Sequence, residues 1–224
     1  MYPIGRPAGR ASDRLAGWTL ALAGVVPIAR YLWIVAHRVA YPYELQWMEG
    51  GTVELVNRLI RGRSLYTAPT LRFTPWPYPP FYFLVSSALA RVIGVGFLPL
   101  RLVSIAASIG VLLVIGVLVH GETDDRAAAV FAAGVYAATF RLAGAWADIG
   151  RVDSLWLLLC LGAVLAARRA ASWRAGALVG VVFFLASFTK QDGLIVAAPV
   201  IVALVVARRR AGIAAAGLLA SLVA

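Results

Sequence analysis

The sequence predicts an all-α fold, a polytopic transmembrane helix bundle with a long outer loop that contains short surface helices. Three observations predict it. Hydrophobic residues make up 62% of the 224-residue chain and charged residues only 14%, against about a quarter charged in soluble domains. The apolar runs are rich in Ala, Leu, Val and Gly and roughly 15–22 residues long, without polar–apolar alternation, which selects helices over the strands of a barrel. One stretch, 41–81, breaks the pattern with carboxylates, arginines, aromatics and prolines that hydrocarbon cannot hold.

In chain order, residues 1–14 carry Arg6, Arg10 and Arg14 and read as a cytoplasmic tail, and 15–224 read as one transmembrane domain. Leu15 to Ala36 forms a first span. It is too long for a cleaved signal core, and Arg30 near its far end snorkels outward or faces the bundle. The outer loop occupies 37–99. Within it, Gly51 to Arg61 is amphipathic: Val53, Val56, Leu59 and Ile60 share one face, while Glu54, Asn57, Arg58 and Arg61 fall elsewhere. Gly62 stops that helix. Pro69, Pro75, Pro77, Pro79 and Pro80 impose extended chain over 63–80.

Phe81 to Val95 is apolar but short. Taken as a surface or re-entrant helix, it leaves spans at Leu100–Leu118, Ala127–Ala145, Leu155–Ala167, Ala175–Phe188, Gly193–Ala207 and from Ala211 onward. Arg126, Arg168, Arg169, Arg174 and the triplet Arg208, Arg209, Arg210 then share the inner side with the basic tail, as the positive-inside tendency favours. Taken as a span, it would move them outside. The chain stops within an apolar run, Ser221–Ala224, so a C-terminal part present in relatives is expected to be missing.

The net charge of +11 follows from these helix-end arginines. No basic face interleaved with stacking aromatics marks a nucleic-acid binder. Cys160, the single cysteine, excludes an internal disulfide and a cysteine metal site. His37 and His120 are too far apart in sequence to suggest a histidine site. No cofactor is expected, and a divalent cation stays open.

This topology gathers Glu44, Glu49, Glu54, Asp148, Asp153 and Asp192 on one outer surface, with Lys190, the only lysine. Glu122, Asp124 and Asp125 fall in an inner turn. An enzyme acting on a lipid phosphate needs a carboxylate to take a proton, cations to steady the leaving phosphate, and a greasy groove. Glu44 and Glu49 supply the first. Arg58, Arg61, Arg63, Arg72 and Lys190 supply the second, and Tyr41, Tyr43, Trp47, Trp76, Tyr78, Phe81 and Tyr82 the third. The connections at 146–154 and 189–192 add Asp148, Arg151, Asp153 and Gln191. Simpler roles stand beside these: an interfacial belt for the aromatics, general headgroup contacts for the arginines, a helix N-cap for Asp153, and an anchor for Lys190.

These residues also carry a likeness. The chain resembles the polytopic GT-C glycosyltransferases, in particular the group related to protein O-mannosyltransferases, the aminoarabinose transferase of lipid A, and the RgtA/B/C/D-like enzymes. Glu49, Gly62, Leu65–Tyr66 and Pro79–Pro80 keep the order of that family's outer loop. Arg101-Leu102-Val103-Ser104, Asp153 within Gly150-Arg151-Val152-Asp153-Ser154-Leu155, and Thr189–Lys190 resemble its later motifs. Met48 occupies the place where the family usually has a catalytic aspartate, leaving Glu49 as the acid. Tyr78 stands where several members have a Lys or His that touches lipid phosphate.

The resemblance implies transfer of a sugar from a polyprenyl-phosphate carrier to a glycan, lipid or protein acceptor, in a multi-pass plasma-membrane protein with its site on the extracytoplasmic side. Glu49 would take the acceptor's proton, Asp153 would orient Glu49 or the sugar, and the loop arginines and Lys190 would hold the phosphate. Membrane lipids are the other expected partners. A noncatalytic lipid-phosphate-binding subunit and a transporter remain as alternatives; for a transporter, Arg141 is the main polar residue within a span.

Overall fold

The computed structural model describes residues 11–224, so residues 1–10 of the expected tail lie outside the described residues. Among the described residues there are nine α-helices, and the only β-pairing is an isolated bridge between Thr70 and Phe73. They are α1 Ala11–Arg38, α2 Met48–Ile60, α3 Phe81–Ile93, α4 Phe97–Thr123, α5 Arg126–Ala138, α6 Asp153–Arg169, α7 Trp173–Thr189, α8 Gly193–Ala207 and α9 Arg209–Val223.

Two helices, α1 and α4, are long and apolar enough to cross a membrane. The helices pack side by side in the order α1, α5, α4, α6, α7, α9, with α8 against α7 and α9. Large apolar side chains such as Leu22, Val26, Leu113 and Val202 are exposed on the outside of this layer. The core between the helices is made largely of alanine, as in the cluster of Ala163, Ala167, Ala197, Ala211 and Ala215 around Val179 and Phe183.

Small residues set the closest approaches. Gly24 of α1 faces Gly134 and the Val130 carbonyl of α5, and a Cβ on either glycine would overlap the other helix's backbone. Gly176 and Gly180 of α7, four apart and therefore on one face, meet Ala211 and Ala215 of α9 in the same way. Backbones brought this close gain dispersion contacts that need no hydrophobic driving force, as between helices in lipid.

The chain reverses at each turn between these helices. Arg101, in the first turns of α4, donates to the carbonyls of Arg38 and Val39 at the end of α1. The end of α1 and the start of α4 therefore meet at one end of the layer. The chain between them is an excursion on that end, not a crossing. Its two helices, α2 and α3, have 13 residues each, about 20 Å, well short of the ~30 Å hydrocarbon core. They form a cap: Leu55, Val56, Leu65, Tyr82 and Phe83 pack with Leu100 and Val152. Gly62 ends α2 in the left-handed region, φ +66, which its missing Cβ makes accessible.

At the opposite end, arginines close the helix C-termini. Arg168 pairs with Glu122 and donates to the Leu118 carbonyl at 3.1 Å. Arg208 donates to the carbonyls of Arg168 and Ala170 at 2.9 and 3.1 Å. Asp125 caps α5 by accepting from the N–H groups of Ala127 and Ala128.

One helix departs from expectation. The span expected over Ala127–Ala145 ends at Ala138. Residues 139–145 form turns instead, closed by the Ala145 N–H donating to the Phe140 carbonyl at 2.9 Å. Gly144 is left-handed, φ +75, with the Trp146 indole packed where a Cβ would stand. Arg141 thus lies in a turn rather than within a span.

Replacing Gly176 or Gly24 with Leu is expected to force α7 from α9, or α1 from α5. Overpacking of this kind costs ~1–3 kcal/mol. Thermal unfolding of the detergent-solubilised variants checks it; an unchanged midpoint would remove these contacts from the packing account.

Candidate functional site

The end of the layer beneath the cap is built on a buried ion pair. Glu49, in the first turn of α2, and Arg101, near the start of α4, are both 0% exposed. Arg101 grips the carboxylate with both arms of its fork: Nε donates to Oε1 at 3.0 Å and Nη2 to Oε2 at 2.8 Å. Each carboxylate oxygen accepts a second bond, Oε1 from the Gly150 N–H at 2.8 Å and Oε2 from the Leu45 N–H at 2.7 Å. The remaining guanidinium donors reach the carbonyls of Tyr41 and Tyr43 at 2.5 and 2.7 Å. Burial pushes the Glu49 carboxyl up, but Arg101 and the two backbone N–H groups pull it further down, so it titrates below its ordinary value.

This geometry shows Glu49 in a structural position. A general base needs a free lone pair within reach of the acceptor. Here both oxygens are occupied and no surface is exposed. Glu49 instead ties four segments together: the chain after α1, the start of α2, the start of α4 and the turn before α6.

Ser104, one turn after Arg101, extends the clasp. Its hydroxyl meets the Tyr82 hydroxyl at 2.9 Å and donates to the Arg151 carbonyl at 3.2 Å. Tyr82 also donates to the Leu100 carbonyl at 2.9 Å. The Arg-Leu-Val-Ser motif therefore fixes α3 and the segment that delivers Arg151 and Asp153.

That segment carries the second cluster. Asp153 opens α6, yet its side chain does not cap the helix. Oδ2 accepts from Arg151 Nε at 2.8 Å, and Oδ1 accepts from Lys190 Nζ at 3.2 Å. Lys190, just past α7, also pairs with Asp192 at 3.3 Å. Burial lowers the Lys190 ammonium, but Asp153 and Asp192 more than offset this, so it titrates above its ordinary value. Arg151 Nη1 lies 2.8 Å from Met48 Sδ, and its guanidinium stacks 4.0 Å from the Trp146 ring centroid. Lys190 lies 5.2 Å from the Trp156 ring centroid. The buried indole N–H groups of Trp76 and Trp156 have no hydrogen-bond partner.

Of the residues singled out in the sequence, Asp153, Arg151 and Lys190 come into direct contact, beside Met48 and one residue from Glu49. Gln191 joins them to the cap by donating to the Pro77 carbonyl. The others do not join this cluster. Arg58 lies 3.9 Å from the Phe73 ring centroid and donates to the Ser64 carbonyl, and Arg61 donates to Asn57. Both sit at the far end of α2 from Glu49, with Arg63 and the Thr70–Phe73 turn that contains Arg72. Tyr78 packs in the cap core, and its carbonyl accepts from Tyr66 at 2.7 Å. Glu44 is exposed, with its carboxylate lying over the Gly50 backbone.

Asp148 is 1% exposed and pairs with Arg38 at 3.3 Å. Burial raises its carboxyl to about 6, against the opposing pull of Arg38. Among the described residues no three His, Cys, Asp or Glu side chains are grouped to hold a metal ion.

Sequence reasoning missed Arg101 and Arg38 as members of this site. A signal was present for Arg101: it stands alone in the first turns of the most apolar long helix, where a charge requires a partner.

Among the described residues the protein is helical, with two helices long and apolar enough to cross a membrane. The chain belongs to glycosyltransferase family 87, whose family model matches residues 76–224. The match contains Arg101, Asp153 and Lys190 and begins after Glu49. This is a GT-C-like family of glycosyltransferases, and with the two apolar helices it points to a membrane protein. No match was found among curated proteins or among solved structures.

Removing one partner of the buried pair, by Glu49→Gln or Arg101→Met, is expected to destabilise the fold by ~3–5 kcal/mol, because the other charge stays buried. Chemical denaturation checks it, and a loss under ~1 kcal/mol would contradict the clasp.

A separate expectation concerns Asp148. Its folded carboxyl titrates at about 6, above the unfolded value of ~3.9, so the folded state binds the proton more readily. Its contribution to stability therefore grows as pH falls from about 6 to about 4. Melting curves across this range should show a shallower pH slope for Asp148→Asn.

Proposed function

We propose that the protein is a multi-pass membrane glycosyltransferase that moves a sugar from a polyprenyl-phosphate carrier to an acceptor hydroxyl on the extracytoplasmic side. Membership of a glycosyltransferase family supports the class. The observation that carries the site is the pairing of one partly exposed carboxylate, Asp153, with two cations, Arg151 and Lys190, at the capped end. The collection of arginines at the opposite end supports the sidedness, through the positive-inside tendency.

Asp153, not Glu49, is the proton acceptor in this reading. Met48 fills the position where GT-C relatives carry an aspartate, and Arg151 spans from Met48 to Asp153. Asp153 thus lies one guanidinium away from the vacant acidic position. Its carboxylate takes the proton of the acceptor hydroxyl. That oxygen attacks the anomeric carbon, the bond from this carbon to the phosphate oxygen breaks, and configuration inverts. The departing lipid phosphate keeps the electron pair, and Lys190 and Arg151 neutralise its charge.

Donor binding prepares the base. An incoming phosphate competes with Asp153 for Lys190, which already shares its charge with Asp192. Each cation drawn toward phosphate frees a lone pair of Asp153 for the acceptor hydroxyl. The free indole N–H groups of Trp76 and Trp156 are suited to bond sugar or phosphate oxygens. Glu49 and Arg101 hold the frame rigid.

Met48 also favours a second reading, a subunit that binds lipid phosphate without turnover, because a neutral thioether replaces the family's acid. One assay separates the two. With labelled polyprenyl-phosphate sugar and reconstituted protein, Asp153→Asn is expected to lower transfer ~100-fold or more with the melting midpoint retained. Undiminished transfer would exclude Asp153 as the base. Binding without transfer by the unsubstituted protein would favour the noncatalytic reading.

A further inference from the structure

Three arginines that meet the helix ends beneath the cap have acidic partners: Arg38 has Asp148, Arg101 has Glu49 and Arg151 has Asp153. Arg30 and Arg141 do not. Neither makes an ion pair or a side-chain hydrogen bond among the described residues, yet both line one cavity of about 190 Å³ between α1 and the turn after α5. Its other walls are apolar, with Pro27, Tyr31, Ala137 and Phe140 among them. Arg30 lies two turns before the end of α1, about 12 Å below it. An arginine without a partner is unfavourable against lipid, and Arg30 and Arg141, both exposed beside one crevice, would be satisfied together by a shared anion.

The geometry points to a binding site for an anionic phospholipid, with its headgroup phosphate between Arg30 and Arg141. The tail has a track. Leu22, Val26, Arg30 and Trp33 follow one another at spacings of four, four and three, so they form one stripe of α1. Leu22, Val26 and Trp33 are all exposed, at 63%, 57% and 63%. The cavity is smaller than the ~300–1,000 Å³ typical of sites that enclose a whole ligand, which suits a headgroup whose chains stay outside. It is also separate from the Asp153 cluster, since α5 packs on α1 and α4 stands between α5 and α6. The bound lipid would brace α1 against the turn that leads to Asp148 and the Glu49 clasp. The inference rests on the reading of the chain as membrane-embedded.

The test compares nanodiscs of phosphatidylcholine alone with discs containing phosphatidylglycerol. Native mass spectrometry reads the retained lipid, and thermal melting reads the stabilisation. The unsubstituted protein is expected to retain phosphatidylglycerol and to melt higher in its presence. The Arg30→Gln/Arg141→Gln variant should bind it about thirtyfold more weakly, on the scale of two charges facing anionic lipid, and lose the rise in melting point. An Arg30→Lys/Arg141→Lys variant should recover part of both. A control with Arg91→Gln and Arg174→Gln, exposed arginines of α3 and α7 that do not line this cavity, should keep both. Equal retention by the Gln variant would overturn the inference while leaving the membrane reading intact. Preferential retention of polyprenyl phosphate, lost in the same variant, would also overturn it by giving the crevice to the donor. A chain that fails to enter the discs at all would remove the membrane reading, and this site with it.

Discussion

A carboxylate and a guanidinium with no access to water hold this structure together. Glu49 and Arg101 come from segments that sequence separates widely, and each is fully buried. Such a pair survives only if every remaining donor and acceptor is satisfied, because desolvating two ions costs several kcal/mol each. The surroundings meet that demand with backbone: two N–H groups for the carboxylate and loop carbonyls for the guanidinium. The loop after α1 and the turn before α6 cannot move without exposing a charge. A weak local preference in each segment thereby becomes a fixed relation among them.

The functional cluster inherits this rigidity. Arg151 and Asp153 lie immediately after Gly150, whose N–H binds Glu49, and Ser104 holds the Arg151 carbonyl. Lys190 arrives from α7, which glycines and alanines set tightly against α9. Two kinds of packing thus meet at Asp153: polar satisfaction on one side and close backbone approach on the other. In contrast, the loop arginines Arg58, Arg61, Arg63 and Arg72 sit where short-range contacts or solvent suffice, and nothing forces them toward the cluster.

The helical inventory was legible because lipid-compatible helices announce themselves by unbroken apolar runs, and because Gly62 and the prolines after it have few other uses. The turn at 139–145 was not, since its apolar residues continue the pattern and only Arg141 and Gly144, the latter beneath Trp146, mark the break. The site was half legible. Motif order drew attention to Glu49, Asp153 and Lys190, but not to what each carboxylate would touch. Arg101 was read as part of a motif without being recognised as the partner of Glu49, because the two are joined across 52 positions.

Composition and periodicity alone determined that the chain would be helical, apolar on its outside, and interrupted by one polar excursion. Those properties follow from each segment's own solvent preference, which no distant contact alters. Tertiary structure alone decided which acid is sealed in and which stays open. That depends on where Arg101 and the Gly150 N–H come to rest, and carboxylates of identical chemistry differ only in the neighbours the fold brings to them.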